Sequence, residues 1–504
     1  MAKTLMVLGT ASEVGKSLIV TGFCRLFYRA GVRVAPFKAQ NMSNNAYVCL
    51  DGGEIGWAQA LQARACGLEP AVDMNPVLLK PTSERGSQVI VQGRVWGNVS
   101  VHDFDRDSLR EKVRESFLRL SQDYELIVLE GAGGAAEINL KDRDFVNFAM
   151  AEMADAPVLL VGDIDRGGVF AALIGTMELL EPPERERVKG FIINKFRGEK
   201  ALLEPGLRFL EERTGRPVLG VLPYLRDLGL EAEDSVSLET YRNRQRSFSP
   251  ATVNVAVVCL PHIANFTDFL PLARVSAVTL NYVQQPQEIA GADVVILPGS
   301  KNTISDLRWL KERGWPAALR QTRDRRGWIV GVCGGYQMLG EEVADPLGVE
   351  GERTTERGLG FLPLRTVLAA EKTTGRVEAQ WTIGSQTGIF PGYEIHMGHT
   401  QVGEGVAPRF FLCPMSSREW RPDGAVSRDG RVWGTYLHGL FESGSFLQQW
   451  LAQVGAERGV RVQVGWQEWQ RERDAHLHRI ADALEEHLDM VTIQAVAGAM
   501  GISQ

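Results

Sequence analysis

The sequence predicts an α/β protein of two domains, an N-terminal domain with a parallel sheet wrapped by helices and a second α/β domain. Its 504 residues exceed the length at which a single hydrophobic core stops growing. Short apolar runs alternate with polar, helix-like stretches, which is the pattern of strands joined by crossover helices. A polar stretch at 234–252 interrupts the alternation, so we expect a linker there between domains at 1–233 and 253–504.

The apolar runs have the length of buried strands. They lie at 5–8, 126–129, 158–161, 191–193 and 218–221 in the first domain and at 255–258, 294–297, 328–332 and 432–436 in the second. From about residue 466 onward, Ile480, Leu484 and Leu488 recur at helical spacing among charged residues. This spacing predicts an amphipathic closing helix with a packing role.

Composition excludes several classes of function. The sequence has neither an apolar run of about 18 residues nor a basic and apolar leader, so we expect a cytoplasmic protein that does not engage membranes. The net charge of −7 offers no general attraction to nucleic acid, and any anionic ligand must therefore be held by local groups. Six cysteines lack C-x-x-C spacing, which argues against a disulfide framework or a zinc site.

A phosphate-binding loop is predicted after the first strand, where residues 9–17 read Gly-Thr-Ala-Ser-Glu-Val-Gly-Lys-Ser. The standard loop reads G-x-x-x-x-G-K-[ST], whereas this one has Thr10 at the first position and its glycine one residue earlier. Gly15 lets backbone N–H groups approach phosphate oxygens, Lys16 neutralises them, and Ser17 can ligate Mg²⁺. We therefore expect nucleotide binding here rather than a glycine-rich turn that only opens a helix.

Polar side chains follow three further predicted strands of this domain. Glu130 ends one apolar run, Asp163, Asp165 and Arg166 come just after another, and Asn194 follows a third. Because ligands of such sheets bind at the carboxyl ends of the strands, Glu130 and Asp163 are expected to join the loop serine as metal ligands. Asp165 and Arg166 could organise Mg²⁺ and an anionic substrate, or simply cap a turn. The Asn194 amide could face a purine edge.

A thiol site is predicted in the second domain. Residues 331–337 read Gly-Val-Cys-Gly-Gly-Tyr-Gln and place Cys333 on a glycine-flanked turn between a strand and a helix. The helix N-terminus would stabilise its thiolate, and the N–H groups of Gly334 and Gly299 would face a developing oxyanion. His438 follows another strand end and is the best placed of the eight histidines to act as the base. The alternative for either side chain is a buried structural role.

The pattern Gly-x-Cys-x-Gly-x-Gln-x-Leu resembles a class I glutamine amidotransferase domain, whose thiol releases ammonia from glutamine through a glutamyl thioester. Gln337 matches the glutamine of that motif, and the resemblance places it in the glutamine-binding site. The class usually carries His-Pro-Glu, but here the residues are His438-Gly-Leu. Another residue or solvent must therefore orient the imidazole, and Glu442 is a candidate.

The order of seven sequence blocks resembles the cobyric acid synthase family. The blocks are the phosphate loop, Pro36-Phe-Lys-Ala-Gln-Asn-Met-Ser-Asn44, Glu130-Gly-Ala-Gly-Gly, Gly162-Asp-Ile-Asp-Arg-Gly-Gly168, Asn194-Lys195, Asn265-Phe-Thr-Asp-Phe269 and Gly392-Tyr-Glu-Ile-His-Met-Gly-His399. The resemblance implies a dethiobiotin-synthetase-like P-loop ATPase domain fused to a class I-type glutamine amidotransferase domain. It also implies further substrate or metal contacts at Lys38, Asp51, Glu54, Asp165 and Arg166.

For function, the resemblance implies an enzyme that uses ATP, Mg²⁺ and glutamine to amidate the b, d, e and g carboxylates of adenosylcobyrinic acid a,c-diamide in cobalamin biosynthesis. A substrate carboxylate would attack ATP to give an acyl phosphate, which ammonia released at Cys333 would displace. Two alternatives stay open. One is cobyrinic acid a,c-diamide synthase, which has the same chemistries but other target carboxylates. The other is a non-catalytic P-loop switch protein with a vestigial thiol domain. The oligomeric state is not predicted.

Overall fold

The computed structural model describes residues 2–82, 86–100, 106–225, 246–351 and 353–499. Residues 234–245 of the predicted linker lie outside these ranges. The described strands of the first half are β1 Lys3–Gly9, β2 Val34–Phe37, β3 Gln40–Met42, β4 Ala46–Val48, β5 Glu54–Gly56, β6 Val77–Pro81, β7 Gly86–Val91, β8 Arg94–Ser100, β9 Leu126–Glu130, β10 Val158–Asp163, β11 Val188–Phe196 and β12 Val218–Pro223. The helices are α1 Lys16–Arg29, α2 Trp57–Ala65, α3 Arg106–Asp123, α4 Phe148–Met153, α5 Val169–Leu179, α6 Pro182–Arg187 and α7 Lys200–Thr214.

In the second half the described strands are β13 Val253–Val258, β14 Ile263–Ala264, β15 Val278–Val283, β16 Val294–Leu297, β17 Gly299–Ser300, β18 Trp328–Val332, β19 Glu342–Asp345, β20 Thr354–Arg357, β21 Leu364–Ile383, β22 Gln386–Val402, β23 Phe410–Pro414, β24 Arg421–Asp423, β25 Ala425–Val426, β26 Val432–Thr435 and β27 Leu437–His438. The helices are α8 Leu270–Ala273, α9 Thr303–Glu312, α10 Trp315–Asp324, α11 Gly334–Met338, α12 Gly444–Arg458, α13 Trp466–His487 and α14 Met490–Ala497.

The first half is organised by a six-stranded parallel sheet in the order β12-β11-β10-β1-β9-β2. The predicted α/β class is confirmed, and the five predicted runs all lie within strands of this sheet. Strand β2 was not predicted from the sequence, because Pro36 breaks its short apolar run. Proline lacks a backbone donor and is tolerated at sheet edges, and β2 is indeed an edge strand that pairs only with β9.

Both faces of this sheet are buried, as expected for a parallel sheet between helices. Successive residues of β1 point to opposite faces, so that Leu5 and Val7 enter one core cluster and Met6 and Leu8 the other. Helix α1 covers the first of these faces. The motifs that follow β1, β9 and β10 therefore meet at one edge of the sheet.

The C-terminal helix α13 packs on the first half of the chain, although the sequence analysis groups it with the second domain. Ile480 and Leu484 are buried in the same cluster as Phe23 of α1. Gly22 permits this close approach, because a Cβ there would lie 2.2 Å from Cδ1 of Leu484. The C-terminal helix α13 thus packs beside α1, the first helix of the chain. Among the described helices, none has the length and apolar character needed to cross a bilayer.

The second half is built on a sheet in the order β15-β13-β16-β18-β26-β25, parallel except for the short pair β25–β26. A long antiparallel hairpin, β21–β22, extends from it to the first half. Tyr393 and Ile395 of β22 share a buried apolar cluster with Ala46, Leu78 and Ile90. The sequence did not reveal this hairpin, because its strands mix glycine and threonine with charged residues.

Truncation of Leu484 should show that α13 stabilises the first half. Leu484 is 1% exposed, and Leu484→Ala is expected to lower the free energy of unfolding by about 2–5 kcal/mol through lost burial and the cavity left behind. Denaturant unfolding measures the change. Leu202→Ala, at a site that is 81% exposed, is the matched control and should stay within about 0.5 kcal/mol. Equal stabilities for the two variants would contradict the packing role.

Candidate functional site

The phosphate loop lies between β1 and α1, and its conformation depends on a glycine at the start of the helix. Gly15 has φ +102°, and a Cβ there would lie 2.0 Å from Nδ2 of Asn194, so both backbone and space require glycine. The Lys16 ammonium donates to the carbonyl oxygens of Ala11 and Gly133, each at 2.8 Å. This holds the cation over the loop, at the N-terminus of a 14-residue helix.

The structure brings Ser17 and Glu130 together beside this loop. The Ser17 hydroxyl donates to Oε1 of Glu130 at 2.7 Å, Lys38 donates to the same oxygen at 2.9 Å, and Gln62 donates to Oε2 at 2.5 Å. Burial opposes ionisation of Glu130, but Lys38 and the donated hydrogen bonds outweigh it and lower the pKa of this carboxyl. An ionised carboxylate next to a hydroxyl is a donor pair that fits Mg²⁺, which prefers oxygen ligands.

Asp163 and Asn194 reach the loop from the adjacent strand ends. Asn194 Nδ2 donates to the carbonyl oxygen of Val14 at 2.8 Å. Lys195 donates at 2.7 Å both to Oδ2 of Asp163 and to the carbonyl oxygen of Glu13. Asp163 is therefore ion-paired with Lys195. Glu130 instead contacts Ser17, Lys38 and Gln62.

The other residues suggested by the resemblance divide between two places. Arg166 is 2.9 Å from Glu13 of the loop, but Asp165 pairs with Arg197 at 2.8 Å. Asp51 accepts the N–H of Gly53 at 2.9 Å in the turn between β4 and β5. These contacts bring Arg166 to the loop and leave Asp51 and Asp165 in local interactions.

Glu54 is buried away from the phosphate loop, between the two halves of the chain. It bonds with Lys80 of β6 at 2.9 Å and with Lys372 of the hairpin. Burial alone would raise its pKa, but the two lysines lower the pKa of Glu54 to about 2. Its carboxylate is therefore ionised in the folded protein and already has cationic partners.

The second site forms around Cys333, which adopts φ +53° on the turn between β18 and α11. Glycine is required beside it, because a Cβ at Gly335 would lie 1.9 Å from the carbonyl oxygen of Leu297. Cys333 is 9% exposed, and a Cβ at Gly299 would lie 3.7 Å from its own Cβ. Gly299 and Gly334 thus both adjoin Cys333.

His438 lies beside this thiol and has a carboxylate partner that the sequence analysis missed. Its Nδ1 is 2.5 Å from Oδ2 of Asp268, and Nε2 has no hydrogen-bond partner among the described residues. Burial disfavours the imidazolium, but Asp268 outweighs this effect and, with a smaller contribution from Cys333, raises the pKa of His438 to about 10. Glu442 instead lies 4.0 Å from Arg473.

The only sequence signal for Asp268 was its place in the block Asn265-Phe-Thr-Asp-Phe269. That block docks on the first half of the chain. The Asn265 amide exchanges hydrogen bonds of 3.2 Å with both backbone groups of Ala46, and its Nδ2 also donates to the Tyr393 hydroxyl at 3.1 Å. The Tyr393 ring stacks on His438 with 5.2 Å between centroids. The imidazole and its carboxylate are thus held by contacts that cross between the halves.

A small cavity of about 40 Å³ opens at Cys333 and His438, and both halves of the chain line it. Lys80 comes from the first half, and Lys301 and Glu350 from the second. Burial and the charge of Lys80 lower the pKa of Lys301 to about 8, and burial raises that of Glu350 to about 7.

Gln337 also lines this cavity, and its side-chain amide is already engaged. It donates to the carbonyl oxygen of Met397 at 2.9 Å and to the hydroxyl of Tyr436 at 3.0 Å. Its Oε1 accepts from Thr303 at 3.2 Å. Gln337 therefore fixes the wall of the cavity in this conformation.

A P-loop domain joined to a cysteine–histidine amidotransferase domain is the class of protein that this fold and these two sites define. Family models agree. Residues 5–237 match the CobQ/CobB/MinD/ParA nucleotide binding domain, and residues 254–446 match the CobB/CobQ-like glutamine amidotransferase domain. The chain belongs to the cobyric acid synthase family.

Family membership rests on similarity over nearly the whole chain. A cobyric acid synthase of Moorella thermoacetica is 46% identical over 509 residues, covering 99% of this chain and 98% of its own. That of Klebsiella pneumoniae is 48% identical over 509 residues, covering 98% of each chain. A solved glutamine amidotransferase structure aligns with 41% of this chain and 99% of its own, at 19% identity and a TM-score of 0.30.

Replacing Asp268 tests its role beside His438. In Asp268→Asn the main group that opposes the effect of burial on the imidazolium is lost, so the pKa of His438 should fall from about 10 toward lower values. We expect glutaminase kcat to drop by about 10²–10⁴-fold and the alkaline limit of its pH profile to move to lower pH. Glutamate release across pH measures both, and ammonia-driven amidation is the folding control. An unchanged pH profile would remove Asp268 from the site.

The contact between the halves can be tested at Asn265. Asn265→Gly removes the amide and tolerates the local φ of +50°, so the loss of its buried hydrogen bonds should lower glutaminase kcat by about 10–100-fold. Asn45→Ala removes the partner of the Phe266 N–H from the first half and should act in the same direction. Gln386→Ala, at the exposed hairpin tip, is the control. Full activity in both test variants would show that docking does not position the imidazole.

Proposed function

We propose that this protein uses ATP and glutamine to amidate the b, d, e and g carboxylates of adenosylcobyrinic acid a,c-diamide. The name of its relatives supports the reaction. The observation that carries the proposal is the cavity at Cys333, which is walled in part by Lys80 of the nucleotide-binding half. A thiol site that opens toward the other domain suits a reaction in which ammonia made at one site is consumed at the other.

At the thiol site, Cys333 Sγ would attack the carboxamide carbon of glutamine. His438 would take the thiol proton at Nε2 and deliver a proton to the departing nitrogen, so that ammonia leaves and a glutamyl thioester remains. The N–H groups of Gly299 and Gly334 would stabilise the oxyanion of each tetrahedral intermediate. Water would then hydrolyse the thioester, releasing glutamate and restoring the thiol.

At the phosphate loop, a substrate carboxylate would attack the γ-phosphorus of ATP and release ADP. Lys16 would exchange its two carbonyl partners for phosphate oxygens, and the loop N–H groups would hold the remaining charge. Mg²⁺, when bound by Ser17 and Glu130, would supply further neutralisation of the phosphates. Ammonia would then add to the acyl phosphate carbon, and inorganic phosphate would leave to give the amide.

Transfer between the sites needs shelter, because ammonia is largely protonated in water at neutral pH. The buried groups between the halves support such a path. Lys301 donates to Gln88 at 2.7 Å, and Lys372 bonds with Glu54, so two lysines that line the thiol cavity contact side chains of the first domain. We propose that ammonia crosses at this contact.

Mass spectrometry of the corrinoid tests the function directly. Purified protein with ATP, Mg²⁺, glutamine and adenosylcobyrinic acid a,c-diamide should give successive mass decreases, one for each amidated carboxylate. Cys333→Ala should abolish the reaction with glutamine and retain it with ammonium salts, because only the nucleophile that releases ammonia is lost. Amidation of cobyrinic acid but not of its a,c-diamide would identify the other synthase instead. Nucleotide turnover without any amidated product would indicate a switch protein.

A further inference from the structure

An apolar groove lies directly beside the phosphate loop. Its volume is about 460 Å³, and apolar atoms form most of its lining. Ser12 of the phosphate loop and Gly133, which holds Lys16, form one end, and Leu179 at the end of α5 lines it as well. The groove is therefore continuous with the place where the γ-phosphate would lie.

Large apolar side chains are unusually exposed along this groove. Met42 is 56% exposed, Ile138 64%, Leu140 50% and Leu179 49%, and all four line the same cavity. They come from β3, from the 3₁₀ turn Ile138–Arg143 and from α5, so the fold gathers them from three separate segments. Single exposed apolar residues are normal on protein surfaces, but a contiguous group at a cleft marks a binding surface.

We propose that this groove binds the apolar face of the corrin ring of the substrate. The inference rests on the proposed function and adds the place where the macrocycle lies. Each target carboxylate extends from the rim of the ring and must reach the γ-phosphorus of ATP. The ring itself must therefore lie within one side chain's length of the loop. The hydrocarbon part of the ring is stabilised where an apolar surface removes it from water.

The character of the groove also fits repeated use of one phosphorylation site. Lys141, a cation that lines it, is held at 3.0 Å by Glu184 and at 3.4 Å by Glu181, so its charge is already shared with acids. The groove would then contact the ring mainly through apolar atoms, and such contacts do not fix one orientation of the ring. A ring held in this way can rebind after rotation and present a different carboxylate to the same loop.

Ile138→Ser and Leu140→Ser test the groove, each in the full-length protein. Each should raise the KM for adenosylcobyrinic acid a,c-diamide by about tenfold or more, the loss expected when one large apolar contact is removed. The KM for ATP and the glutaminase kcat should not change. Because both side chains are at least half exposed, folding should be retained; Leu179→Ser provides a third, independent site. Leu202→Ser, on the exposed side of α7, is the matched control and should leave the corrinoid KM unchanged.

The wild-type enzyme separates this inference from the function on which it rests. If wild type fails to amidate the corrinoid, the proposed function fails and the groove assignment falls with it. If wild type amidates it and the groove variants keep the wild-type corrinoid KM, the groove assignment alone is overturned. A change in oligomeric state on size-exclusion chromatography with an unchanged corrinoid KM would identify a subunit interface. A rise in the ATP KM to the same extent would assign the groove to the nucleotide, and either result overturns the proposal.

Discussion

Pairing of the buried Glu54 carboxylate with lysines from both halves of the chain is the interaction on which the relation of the two sites depends. Lys80 comes from the first half and Lys372 from the hairpin of the second. Burial of an ionised carboxylate without partners costs free energy. Removal of one member of a buried ion pair therefore strongly destabilises the folded protein. The hairpin must therefore dock in the one position that brings Lys372 to Glu54, next to the apolar cluster of Tyr393 and Ile395.

The docked hairpin in turn determines the geometry of the thiol site. Tyr393 stacks on the imidazole of His438 and accepts a hydrogen bond from Asn265. Asn265 also binds the backbone of Ala46, which directly precedes Tyr47, and the Tyr47 ring contacts Tyr393. The pair of His438 and Asp268 in the second domain is thus held in place partly by contacts with the nucleotide-binding domain. This arrangement gives a physical basis for making ammonia only where it can be used.

Much of the fold could be predicted because a short apolar run indicates a buried strand whatever the rest of the chain does. Runs such as 158–161 and 294–297 are buried on both faces and lie in the centres of their sheets. The edge strand β2 was not predicted, because a proline within an apolar run argues against a central strand. Pro36 is tolerated here because β2 lies at the edge of its sheet. The hairpin β21–β22 escaped because its residues pack partly against the other domain, and its pattern has meaning only in that contact.

The sequence by itself determined the two chemical sites whose parts are local. The glycines around Cys333 and the loop 9–17 are required by backbone geometry over a few residues, so their roles can be predicted from sequence alone. Only the tertiary structure decided which side chains meet over long separations. Asp268 reaches His438 across 170 residues, and Lys372 reaches Glu54 across 318. No local pattern encodes such pairs, because they form only when the domains dock and burial makes each charge require its partner.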